Sequence, residues 1–158
     1  MPRIPDTMLE CVFYLYPSQR AAELGERIGG CGFFLCFPFS RAKRNHLYAV
    51  TNKHIIDDGN WTLRINTKDG RSIPIDSDDR KWFNHPNGDD LAILLVDFPV
   101  NFECICVEAN ENAFVTTEKI QEHDIGPGDD TFLVARFVNH EGKQRNTPVV
   151  KFGNISQM

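Results

Sequence analysis

Gly32-Phe33-Phe34-Leu35-Cys36-Phe37-Pro38 and His46-Leu47-Tyr48-Ala49-Val50-Thr51-Asn52 flank a polar, basic stretch at residues 40–45. Two short runs of aromatic, aliphatic and β-branched side chains around a polar loop read as a β-hairpin. Working outward, the same grammar recurs. Turn signals stand at Gly29-Gly30, Asp58-Gly59-Asn60, Asp69-Gly70, Asn87-Gly88, Gly126-Pro127-Gly128 and Glu141-Gly142. Between them lie apolar runs at 11–16, 61–66, 71–75, 91–97, 132–138 and 148–155. Short strands at regular spacing with turns between them predict an all-β barrel or sandwich. The 91–97 run is almost wholly apolar, so burial on both faces is expected there. Helix is expected only as two turns at 20–27 and one turn at 53–57.

The length of 158 residues fits one ordinary domain or two small ones, and it can bury a core without disulfide staples. A hydrophobic share of 41% with 25% charged residues excludes wholesale disorder, collagen and coiled coil. The net charge of -5 argues against a nucleic-acid partner, because phosphate binding needs a basic patch. The one basic cluster, 41–44, reads as a solvated loop tip. No apolar run approaches the roughly 18 residues of a membrane-spanning helix, so no membrane role is expected. The N-terminal decapeptide has no apolar core or small-residue cleavage site, so it is not read as a secretory signal.

Five cysteines, at 11, 31, 36, 104 and 106, are an odd count. With no signal segment, reduced thiols in a cytoplasmic-type compartment are expected. The histidines at 46, 54, 85, 123 and 140 lack metal-ligand spacing, and there is no Cys-x-x-Cys, so neither metal nor cofactor is expected. Trp61, Trp82 and Phe83 read as barrel packing or rim. Asp76-Ser77-Asp78-Asp79 reads as a solvated loop.

Three features can carry chemistry. His54 follows the apolar strand that ends in Tyr48-Ala49-Val50-Thr51-Asn52-Lys53. Asp90 immediately precedes Leu91-Ala92-Ile93-Leu94-Leu95, with Asp89 beside it. Gly30-Cys31-Gly32-Phe33-Phe34 opens a strand, and no helix follows it as a dinucleotide fingerprint would require. A serine nucleophile needs a histidine as general base. It also needs a carboxylate on the far ring nitrogen, to hold the tautomer and stabilise the imidazolium.

In this order the segments resemble the trypsin-like, chymotrypsin-fold serine peptidases. The family pattern is a Gly-x-Gly-Phe strand, a Thr-x-x-His segment (here Thr51-Asn52-Lys53-His54) and an Asp-Leu-Ala run. Gly128-Asp129-Asp130-Thr131-Phe132-Leu133-Val134 looks like the turn that opens the second barrel in bacterial members. Gly153-Asn154-Ile155-Ser156 looks like the end of that barrel's first hairpin. The resemblance covers about residues 28–156. It implies a chymotrypsin-like Greek-key β-barrel at 8–105, an inter-barrel linker at 106–125, and at 126–158 the opening hairpin of an incomplete second barrel. It further implies His54 as the general base and Asp90 as its orienting carboxylate. Asp89 reads as a turn residue after Asn87-Gly88.

The family's nucleophile stands in Gly-x-Ser-Gly within the second barrel. The serines here, at 18, 40, 72, 77 and 156, are in no such segment, and no cysteine takes that place. The expected function is therefore serine-type endopeptidase, acting on a protein or peptide substrate, in a fragment that lacks the serine half and is inactive alone. The alternative is a non-catalytic protein-binding module built on the same barrel. Self-association through the incomplete second barrel is expected.

Overall fold

A computed structural model describes residues 3–39, 44–67, 69–77, 82–97, 106–110, 112–137 and 142–157. Most of the basic 41–44 cluster, Asp78, Asp79, Cys104 and His140 lie outside these residues. In chain order the elements are α1 (Asp6–Glu10), β1 (Val12–Tyr16), α2 (Gln19–Leu24), β2 (Gly30–Phe39), β3 (Arg44–Thr51), α3 (Lys53–Asp57) and β4 (Thr62–Asn66). β5 (Ser72–Ile75), β6 (Phe83–Asn84), β7 (Ala92–Val96), β8 (Val107–Glu108), α4 (Thr117–Glu122), β9 (Asp130–Ala135) and β10 (Val149–Asn154) follow. The protein is of the all-β class.

The larger sheet has the strand order β5-β4-β1-β2-β3-β7-β6. Three consecutive strands, β1 to β3, with β4 returned beside β1, give the order 4-1-2-3 of a Greek key. The ladders are antiparallel, except that the two residues of β8 run parallel to β2, Leu35 opposite Val107. β9 and β10 form a separate two-stranded ribbon with Phe132 opposite Phe152. No ladder among the described residues joins the outer strands β5 and β6. Even so, Ile75 of β5 and Val96 of β7, from opposite ends of the strand order, pack into one cluster around Phe13, Phe34 and Leu63. The sheet must curl around that core for both ends to reach it.

Strands β1 and β4 are buried on both faces, whereas 91–97 is not. Phe13 and Leu15 enter the main core, while Val12, Tyr14 and Tyr16 enter a second cluster roofed by Ala21, Ala22, Ile28 and Val134. In β7, Ala92, Leu94 and Val96 face the core, but Leu95 is 45% exposed. The cause is coverage. Helix α2 and strand β9 lie over the outer face of β1, and no described residue does the same for Leu95. Phe33 and Phe37 of β2 and Phe83 of β6 are exposed as well.

Gly30 and Gly32 lie inside β2 and not in a turn. A Cβ on Gly32 would come within 2.3 Å of the Val50 carbonyl oxygen and 2.4 Å of the Phe13 ring. A Cβ on Gly30 would meet Ile55 at 2.3 Å. The Gly-x-Gly pattern thus records close approach of neighbours to the strand. α2, expected at 20–27, is shorter. Ser18 caps it by accepting the Ala21 N–H at 3.2 Å, and Gly25, left-handed at φ 66°, ends it. α1 and α4 have too little apolar periodicity to announce themselves, and α4 occupies the stretch read as linker.

The segment between β9 and β10 returns to the first sheet. Arg64 of β4 is 1% exposed and faces no carboxylate in its hydrogen bonds. Its guanidinium donates to Asn146 Oδ1 at 2.8 Å and to the carbonyls of Ala22, Lys143 and Gly142 at 3.1, 3.1 and 2.8 Å. It also lies 4.9 Å above the Tyr16 ring. Burial pushes its pKa down. Asn146, itself 1% exposed, donates to the Arg64 carbonyl at 2.6 Å. Residues 142–146 are therefore fastened to β4, although the ribbon's own Phe132, Leu133 and Phe152 are exposed.

Candidate active site

The register of β3 against β7 sets the site. Thr51 is opposite Ala92, so the exit of β3 and the entry of β7 share one rim of the sheet. Asn52 stands at the exit, and α3 turns the chain so that His54 stands over that rim. On the other side, Gly88 at φ 87° turns the chain, and the His85 N–H bonds the Leu91 carbonyl at 2.9 Å. This tight loop presents Asp90.

His54 Nδ1 lies 2.6 Å from Asp90 Oδ2, and the His54 backbone N–H donates to Asp90 Oδ1 at 2.9 Å. An ionised carboxylate can only accept, so Nδ1 carries the proton, and in the neutral ring Nε2 keeps a free lone pair. The two side chains are 64% and 50% exposed, so the pair is open to a reactant. The Asp90 pKa is held below its ordinary value, first by the His54 backbone N–H, then by the His54 ring and, more weakly, by Asn52. Asn52 Nδ2 donates to Asp90 Oδ2 and to the Asp90 carbonyl, each at 3.2 Å.

Asp89 is not at the dyad. Its Oδ2 sits 3.0 Å from His85 Nδ1, out of line for a good hydrogen bond. Three of the serines are engaged elsewhere, and Ser40 lies outside the described residues. Ser18 caps α2, Ser72 bonds the Gln144 carbonyl at 2.8 Å, and buried Ser77 bonds the Trp61 carbonyl at 2.5 Å. Among the described residues no serine hydroxyl is hydrogen-bonded to His54. Ser77 also accepts the Trp82 indole N–H at 3.1 Å, so that part of the acidic loop is packed inside. Trp82 packs on the core, whereas Trp61 and Phe83 are exposed. The described cysteines, 11, 31, 36 and 106, are free thiols, and burial pushes Cys106 up to about 12.

A cleft of about 350 Å³ opens beside Asn52, between Phe33 and Val50 on one wall and Leu133 and Val134 of β9 on the other, with Leu91 at its edge. Sequence reasoning missed the Asn52 contacts. The available signal was an Asn immediately before a one-turn helix, a residue type that usually caps its own helix. Comparison with models of protein families, with curated proteins and with solved structures returns no match.

Proposed function

We propose that the chain is the histidine- and aspartate-bearing part of a trypsin-like serine endopeptidase, with its strands forming the first, chymotrypsin-like barrel and β9–β10 opening the second. The observation that carries this reading is the 2.6 Å contact between His54 Nδ1 and Asp90 Oδ2 on an exposed rim. The Greek-key strand order supports it, as does a cleft lined by Asn52 and by Leu91, the residue that follows Asp90.

In this reading the serine comes from a segment other than the serines at 18, 40, 72, 77 and 156. His54 Nε2 takes the hydroxyl proton as Oγ bonds to the scissile carbonyl carbon. The same proton passes to the amide nitrogen as the C–N bond breaks and the amine leaves. Water then attacks the acyl-enzyme, with His54 again taking and returning the proton. Asp90 remains ionised throughout and stabilises the imidazolium.

The test is peptide hydrolysis by any longer translation product of the gene that contains Gly-x-Ser-Gly. His54→Ala there should lower kcat by about a thousandfold or more. Hydrolysis indifferent to His54 would overturn the reading. A second reading, the non-catalytic binding module, draws on the exposed Phe33, Phe37, Phe83 and Leu95. Capture of an apolar peptide that Leu95→Ser abolishes, with no hydrolysis by any product of the gene, would favour it.

A further inference from the structure

We propose that Asn52 is a positioning residue for the dyad: it locks the Asp90 carboxylate in the rotamer that holds the Nδ1–H form of His54. This rests on the peptidase reading for its purpose but not for its geometry. Asn52 stands at the N-cap of α3 in extended conformation, yet its side chain makes no bond to its own helix. An Asn at that place ordinarily accepts an N–H from the first turn. Here that N–H, from His54, goes to Asp90 Oδ1. The Asn52 side chain is thereby released to reach across to the β7 side. Both of its partners, Asp90 Oδ2 and the Asp90 carbonyl, are pure acceptors, so the amide nitrogen must be the atom that faces them.

The two bonds do separate jobs. The bond to the carbonyl ties the loop before β7 to the exit of β3, so the Cα of Asp90 cannot drift from the rim. The bond to Oδ2 places a donor on the oxygen that also accepts from the His54 ring. With His54 N–H on Oδ1, the carboxylate has a donor on each oxygen besides the imidazole and cannot rotate without losing one. A local preference broken at a helix cap, with the side chain turned toward an exposed His–Asp pair, is the kind of departure expected at functional positions.

The test uses this chain without substrate. Ring ¹⁵N shifts of His54 and the carboxyl ¹³C titration of Asp90 are recorded for the parent, for Asn52→Ala and for the isosteric Asn52→Asp. The amide spectrum checks that each is folded. In both variants the Asp90 carboxyl should titrate at higher pH than in the parent. The ratio of Nδ1–H to Nε2–H tautomer should fall about two- to fivefold, as for loss of one supporting hydrogen bond. Asn52→Asp, which brings a second carboxylate and no donor, should show the larger change. Ring shifts and carboxyl titration unchanged in a folded variant would overturn the proposal. Ring and carboxyl changes as expected, with no hydrolysis from any longer product, would uphold the positioning role and remove the peptidase reading.

Discussion

Asp90 holds His54 at two points, the ring Nδ1 at 2.6 Å and the backbone N–H at 2.9 Å. One carboxylate therefore orients the imidazole and supplies the N-terminal cap of the short helix that carries it. The residue that orders the base also orders the base's backbone. This coupling fixes the sign of the pH dependence. The folded-state pKa of Asp90 lies below its ordinary 3.8, so its contribution to stability is fully present above that value. It is lost as pH falls through the lowered folded value. The stability difference between the parent and Asp90→Asn should shrink as pH falls below the ordinary carboxylate value. Urea unfolding across pH 2–4 measures it, and a difference that grows over that range would contradict the assignment.

Arg64→Ala should cost about 3 kcal/mol or more, because three backbone carbonyls and Asn146 Oδ1 lose their donor while a large buried side chain leaves a void. Lys143 and Arg145 then become the first points of trypsin cleavage as residues 142–146 detach from β4. A variant as stable and as resistant as the parent would show that the clamp contributes little.

Gly32→Ala should destabilise by about 1–3 kcal/mol, since the new methyl meets a backbone oxygen that cannot move without breaking the β2–β3 ladder. Gly70→Ala has nothing within 4 Å of the added Cβ and strains only its φ of 83°, so it should cost less. Thermal melts of the two variants side by side test the ordering.

The exposed Phe132, Leu133 and Phe152 of the β9–β10 ribbon should drive concentration-dependent self-association. Leu133→Lys with Phe152→Lys should remove it in sedimentation velocity while leaving the unfolding midpoint nearly unchanged. Association that persists in the double variant would shift attention to Phe37 and Leu95 on the outer face of β2, β3 and β7.

The parts legible in the sequence are those with local causes. The apolar runs of β2 and β3, the turn glycines and the placement of His54 and Asp90 at strand ends are all written within a few residues. Double burial of β1 was not legible, because its cover comes from α2 and from Val134, more than a hundred residues away. The same distance hid Arg64, whose partner Asn146 is 82 positions on. An isolated Arg in Thr62-Leu63-Arg64-Ile65 looks like an outward strand residue until the chain that buries it returns. Asn52 was misleading for another reason. Its residue type predicts a local cap, and a carboxylate from the loop before β7 had already taken that role.

Intact mass after treatment with a fluorophosphonate serine probe tests the central claim most directly. The 158-residue chain should stay unmodified. A longer translation product bearing Gly-x-Ser-Gly should gain one adduct on that serine, and His54→Ala should abolish it. A stoichiometric, His54-dependent adduct on the 158-residue chain, or no adduct on such a longer product, would contradict the account.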